Sequence, residues 1–288
     1  MIGLVTDSNA QLPAELARRY GVEVVPLTVL VDGVEYREGV DLDADAFYAR
    51  FSTGRPTVST AQPSPGRFAA AYETVADRGA TEILSVHIGS SVSGTVNAAR
   101  LASQVSPVPV RIVDTGTASF AVSLCVWEAA EAVAGGATMD EAAEAAERVS
   151  ATVGNVFVVA ALDLARAGGR LAAGVGEFPI SIPVLSLSGG VMKEIARCDG
   201  LDRAAEAMAA YVQAAGPSLR VGVGLSDDAT LPLVAALEDR LRGAPEVRDL
   251  VRYRIGPSVG AHTGPGTVGV MFAPVLPKDD RISPTGPR

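Results

Sequence analysis

Histidine occurs only at His87 and His262 in the 288 residues, and cysteine only at Cys125 and Cys198. Two thiols so far apart, without a Cys-x-x-Cys pair, argue against a zinc site and fit a reduced compartment with two inert side chains. Aromatic residues are 5% of the chain against 48% apolar, so the core must be made of Ala, Val, Leu and Ile rather than stacked rings. Basic residues are also in deficit, 24 against 33 acidic, which leaves a net charge of −9. A phosphate backbone would be repelled, so no nucleic-acid partner is expected. No apolar run reaches membrane-spanning length, and no basic stretch followed by an apolar one opens the chain. The expectation is a soluble, cytoplasmic protein without a transmembrane segment.

The chain is longer than one hydrophobic core usually serves, which predicts two domains. Ile2 to Val5, Ile83 to Ile88 and Val108 to Val113 read as short buried strands, each running into small polar residues. Ser64 and Pro65 open one helix as cap and first residue, and Thr138 with Glu141 forms a capping box for another. Alternating strands and helices predict an N-terminal parallel-sheet α/β domain, and its ligands belong beyond the carboxyl ends of the strands. From about Ser150 the pattern changes to sequential hairpin strands, Ile182 to Leu187 and Val191 to Ala196, with two helices. That predicts a smaller α+β domain. The expected partition is therefore 1–150, 151–277 and a Pro- and charge-rich tail, 278–288, expected to be disordered.

The stretch most suggestive of chemistry is Gly89-Ser90-Ser91-Val92-Ser93-Gly94-Thr95, where a strand hands over to an alanine-rich helix. Unpaired N–H groups and the positive end of the helix dipole make such a turn an anion-binding address. Ser93 can either cap the helix or donate to a ligand oxygen, and the stretch alone leaves both open. His87 alternates with Ser85 and Ile83 along a strand, which favours a hydrogen-bonded structural role. His262 lies in a Gly- and Pro-rich stretch, Ile255 to Gly266, read as a loop whose backbone approaches something closely.

Other chemistries fit less well. Ser91, Asp163 or Asp249, and His262 occur in the order of an α/β-hydrolase triad, but the turn lacks the Gly-x-Ser-x-Gly elbow. Gly222-Val223-Gly224 lacks the third glycine of a dinucleotide loop, and no phosphate-binding Lys-Ser/Thr loop is present. Asp41, Asp43 and Asp45 mark a helix start and read as capping charges rather than metal ligands.

Thr6-Asp7-Ser8, Thr60-x-Gln62-Pro63-Ser64-Pro65, Ser93-Gly94-Thr95, Asp114-Thr115, Gly168-Gly169-Arg170 and Ile255-Gly256-Pro257 through Gly266 occur in the order and spacing of the DegV family. The resemblance runs from Ile2 to about Phe272. It implies a long-chain fatty acid such as palmitate, stearate or oleate, held in a tunnel between an α/β and an α+β domain, with no cofactor and no metal. It also implies a non-catalytic binding subunit that presents the carboxylate to a bacterial fatty acid kinase and carries the acyl phosphate. Residue by residue, Thr60, Ser93, Gly94 and His262 match the carboxylate-binding positions. Arg170 and Arg197 match arginines that are candidates for phosphate or kinase contact, a structural ion-pair role remaining open for both.

Three positions depart from the family pattern. Ala61 replaces a Ser, Thr115 stands where Ser is usual, and Ile182-Pro183 replaces a Lys-Pro pair. Burial of ~14 methylenes at about 0.8 kcal/mol each gives on the order of 11 kcal/mol gross, so capture of a long chain needs no charged clamp. Sequence does not distinguish an apolar tunnel lining from ordinary core, and Phe178, Phe272 and Met192 are the first residues to inspect for it. The alternatives from other classes are a serine-dependent acyl ester hydrolase, using Ser91 or Ser93 with His262, and a lipid-sensing regulatory module without a kinase partner.

Overall fold

The computed structural model describes residues 1–160, 181–188 and 191–276. Met1–Thr28 with Ala61–Thr152 form one compact unit, and Val29–Thr60 with Val153–Val275 form another. The expected tail 278–288 lies outside the described residues.

The first unit is built on a four-stranded parallel sheet ordered Glu23–Val25, Ile2–Asp7, Glu82–His87, Val110–Asp114. Glu82–His87 is buried along almost its whole length, as expected for an apolar run covered on both faces of a parallel sheet. Chain order reverses between Ile2–Asp7 and Glu82–His87, which makes the carboxyl ends of these two strands the topological switch point. Helix Pro65–Asp77 starts as expected, with Ser64 accepting from the Arg67 N–H and Pro65 in the first turn. It buries Phe68, Ala71, Tyr72 and Val75, a helical stripe that delivers Tyr72 to the sheet. Helix Met139–Ser150 has its capping box from Thr138 and Glu141. It turns Ala142, Ala145, Ala146 and Val149 inward.

The second unit contains a six-stranded mixed sheet. Its order is Val191–Cys198, Ile182–Ser188, Gly154–Val158, Val268–Pro274, Leu219–Leu225, Val247–Arg254. Neighbours are antiparallel except the last pair, which is parallel. Helices Leu201–Gln213 and Leu231–Leu241 cover one face, closing a core that includes Val184, Met208, Val221, Leu237 and Phe272. Phe272 packs within this core. Met192 packs in a small cluster with Phe157, Val159 and Leu185. Phe178 lies outside the described residues.

The segment 29–60, expected within an unbroken 1–150 domain, belongs to the second unit. The physical reason is its own small aromatic cluster. Phe47 meets Tyr48 and Phe51 edge to face, and the backbone of Gly260 lies against Phe47 and Tyr48 so closely that a Cβ there would sit 2.5 Å from the Tyr48 hydroxyl. Asp43 caps the short helix Ala44–Ala49, Asp41 pairs with Arg37, and Asp45 pairs with Arg254, so the three aspartates are accounted for without a metal. Among the described residues no helix is long and apolar enough to cross a membrane, and no His/Cys/Asp/Glu group is arranged to hold a metal ion.

Candidate anion-binding site

In the second unit the structure brings Thr60 and His262 together. The Thr60 hydroxyl and His262 Nε2 are 3.4 Å apart, although 202 positions separate them in the chain. Thr60 lies on strand Val58–Ala61, and His262 is in the last turn of helix Pro257–Thr263. This helix corrects the expectation of a loop from Ile255 to Gly266. Pro257 suits the first helical turn because its missing N–H would be unsatisfied there anyway. The Ser258 N–H is then taken up by the buried Glu38 carboxylate at 2.7 Å. At the other end the Thr267 hydroxyl donates to the Thr263 and Gly264 carbonyls. The close backbone approach anticipated for this stretch is made at Gly260, against Tyr48. Burial pushes the Tyr48 phenol up, with the Asp227 carboxylate adding to it, so this ring stays neutral.

In the first unit, Ser93 and Gly94 stand at the start of helix Thr95–Ser103. The Ser93 hydroxyl lies 2.8 Å from that of Thr95 and accepts from the Thr95 N–H at 3.3 Å. Gly94 rather than Ser93 takes the cap position and no side chain caps the helix, so Ser93 places a half-buried hydroxyl just ahead of the positive helix end. The Gln62 side chain rests on the Gly94 backbone, where a Cβ would lie 1.7 Å from Gln62 Oε1 and would push that side chain aside. Gln62, in the same polar stretch as Thr60, carried no separate signal in the sequence. Each unit thus offers groups suited to an oxygen anion: a hydroxyl and an imidazole at Thr60 and His262 in one, a hydroxyl and a backbone N–H at Ser93 and Gly94 in the other.

The small polar clusters of the first unit share one rim. They follow the adjacent strands Ile2–Asp7, Glu82–His87 and Val110–Asp114, and they hydrogen-bond to one another. Asp114 accepts from the Ser90 and Gly116 N–H groups. Partial burial raises the pKa of its carboxyl, but these bonds outweigh that and hold it below the ordinary range. Asp7 accepts from the Asn9 and Ile88 N–H groups and faces His87 Nδ1 at 2.9 Å. His87 Nε2 meets the Ser85 hydroxyl at 2.6 Å, and the Tyr72 hydroxyl follows at 3.1 Å. Burial pushes the Tyr72 phenol up to about 12, so it remains protonated.

A Ser-His-Asp hydrogen-bonded array thus exists, but not where a hydrolase would need it. Asp7, Ser85 and His87 are each 0% exposed, which confirms His87 as a structural histidine. Of the residues considered for a triad, Ser93 is engaged with Thr95, Asp249 neutralises the buried Arg220 guanidinium, and Asp163 lies outside the described residues. Arg197 pairs with Glu194 on the exposed edge strand, opposite Pro183 in the register, whereas Arg170 lies outside the described residues. Glu38, Tyr48 and the Asp7–His87 pair escaped sequence reading. Asp7 at a strand end and the Ser85/His87 alternation were the only signals available for that last pair.

Comparison with known proteins places this geometry in context. The family model described as an uncharacterised protein of the DegV family matches residues 1–275. A DegV domain-containing protein of Streptomyces coelicolor is 36% identical over 276 residues, covering 94% of this chain and 98% of that protein. Among solved structures, a DegV family protein from Thermus thermophilus described by its fatty acid binding superposes with a TM-score of 0.85 at 33% identity, covering 95% of this chain and 99% of that one. A Thermotoga maritima protein, described as revealing fatty acid binding function, gives 0.82 at 27% identity, covering 95% and 99%. The match spans both units and every described motif of the rim, and the chain belongs to the DegV family.

Proposed function

We propose that this protein binds a long-chain fatty acid, with Thr60, Ser93, Gly94 and His262 holding the carboxylate. The observation that carries the reading is the Thr60–His262 contact, formed between residues 202 apart by a helix whose start, end and close packing are each separately secured. Ser93 and Gly94 add a hydroxyl and a backbone N–H at a helix start, which favour negative charge. Gln62, two residues on from Thr60, lies on Gly94. Two relatives more than 25% identical are described as binding fatty acids.

The ligand is a palmitate-, stearate- or oleate-sized acid whose methylenes supply most of the affinity. The protein is a non-catalytic, cytoplasmic subunit that offers the carboxylate to a fatty acid kinase and carries the acyl phosphate, with Arg170 and Arg197 contributing to phosphate or kinase contact. Native mass spectrometry of the purified full chain tests the binding step. The expected result is a co-purified acyl mass whose occupancy falls in Thr60→Val and His262→Ala. No acyl mass, together with no thermal stabilisation by palmitate or oleate, overturns the reading. Covalent labelling by a fluorophosphonate probe overturns the non-catalytic assignment.

A further inference from the structure

The four-residue chain Tyr72–Ser85–His87–Asp7 is a costly thing to bury, and nothing in carboxylate binding uses it directly. All three of Asp7, Ser85 and His87 are inaccessible to solvent, and so is Tyr72. Phe68 seals the imidazole from the side, edge to face at 5.0 Å. Placing a carboxylate and an imidazole in such a setting is unfavourable unless every polar atom is satisfied. One assignment of the protons satisfies every member. With His87 Nδ1 donating to Asp7, a neutral imidazole has Nε2 available to accept the Ser85 hydroxyl, and the Ser85 oxygen accepts in turn from Tyr72.

The output of the chain is the Asp7 carboxylate, and its remaining bonds go to backbone. Oδ2 takes the Ile88 N–H at 3.0 Å together with His87, and Oδ1 takes the Asn9 N–H at 3.1 Å. Ile88 is the residue from which the turn to Ser93 and Gly94 departs. The same strand end is held by the Thr115 hydroxyl and N–H, both donating to the His87 carbonyl. Beyond it the turn hangs on the Gly89 N–H to the Thr117 carbonyl at 2.8 Å and the Ser90 N–H to Asp114 at 3.0 Å. Of these anchors, only the one at Asp7 is both charged and wholly buried.

We infer that Asp7, oriented by His87, Ser85 and Tyr72, is a positioning residue that sets the departure of the Ile88–Thr95 turn and hence the placement of the Ser93 hydroxyl and Gly94 N–H. The inference rests on the fatty acid reading for its ligand, but not for its geometry. Asp7→Asn is the direct test, because a single carbonyl oxygen replaces two carboxylate oxygens that accept three N–H groups, and the new amide faces a donor. Hydrogen exchange of the full-length protein is expected to speed up at Ile88–Thr95 by about tenfold or more relative to Val5 and Leu84, the effect of losing a charge-assisted bond. Oleate affinity is expected to fall about tenfold in an otherwise unaltered chain and only about twofold in a Ser93→Ala background, the non-additivity of residues acting through one another.

Exchange that rises uniformly across the first unit, or an affinity loss that adds fully to that of Ser93→Ala, overturns the positioning role. If Asp7→Asn does not fold, Ser85→Ala, which withdraws one hydroxyl from His87, must give the same localised exchange in weaker form; its absence there overturns the inference as well. Should the unaltered protein bind no oleate, the fatty acid reading falls while localised exchange still supports the anchoring role of Asp7.

Discussion

His87 is held between a carboxylate at 2.9 Å and a hydroxyl at 2.6 Å with none of its surface exposed, whereas His262 is half-buried and meets Thr60 at 3.4 Å. The same side chain serves two ends. Short bonds to buried partners leave His87 nothing to offer a ligand, and its worth is in fixing the strand end beside it. A long bond to a half-buried hydroxyl leaves His262 and Thr60 able to regroup around an incoming oxygen, as polar groups in unliganded sites commonly do. Proximity of a histidine to serine and aspartate is therefore a poor guide to chemistry; exposure and bond length separate scaffold from site.

Substitution should widen this contrast. His87→Ala leaves the Asp7 carboxylate without its partner in a sealed interior and is expected to cost about 3 kcal/mol or more in denaturant unfolding. His262→Ala should stay within about 1 kcal/mol in the same measurement. Equal losses at the two positions would erase the distinction. Next in size is Gly260→Ala, whose added methyl meets Tyr48 and Phe47. Overpacking there is expected to cost about 1–3 kcal/mol and to weaken oleate binding by displacing the helix that carries His262. Truncating Tyr48 in the same chain should restore part of the stability.

On the ligand side the order reverses. Titration with oleate should show His262→Ala losing about tenfold or more in affinity, the scale of one hydrogen bond to a charged group. Asp114 gives the smallest effect. Its carboxyl is held below the ordinary range by the Ser90 and Gly116 N–H groups despite partial burial. A depressed pKa stabilises the fold above the unfolded value, about 4, and that contribution is lost as pH falls through the folded value. The difference in melting temperature between the unaltered protein and Asp114→Asn should thus be largest near neutrality and shrink below about pH 4. A difference that persists at low pH would show that the Ser90 tie does not depend on the charge.

Much of this was legible in the sequence where the cause is local. Ser64-Pro65 and Thr138/Glu141 announce their helices because caps are read within four residues. The polar ends of Ile2–Asp7, Glu82–His87 and Val110–Asp114 announce a common rim because strand order follows from alternating elements. The helix at Pro257–Thr263 was hidden because its start is satisfied by Glu38, more than two hundred positions earlier. The membership of 29–60 in the second unit was hidden for a similar reason, since Tyr48 reveals its partner only through the missing side chain of Gly260. Thr60 and His262 could be placed at one site by family resemblance, whereas no pattern along the chain links Asp7 to His87.

That last separation bears on how the protein is made. Asp7 waits for a strand 80 residues downstream, and the turn it anchors also needs Asp114, Thr115 and Thr117. Contacts of such long sequence separation form slowly. A nascent chain that has left the ribosome only as far as Ser93 already carries the hydroxyl but not its geometry, so the rim takes shape only after Val110–Asp114 and the residues through Thr117 have emerged.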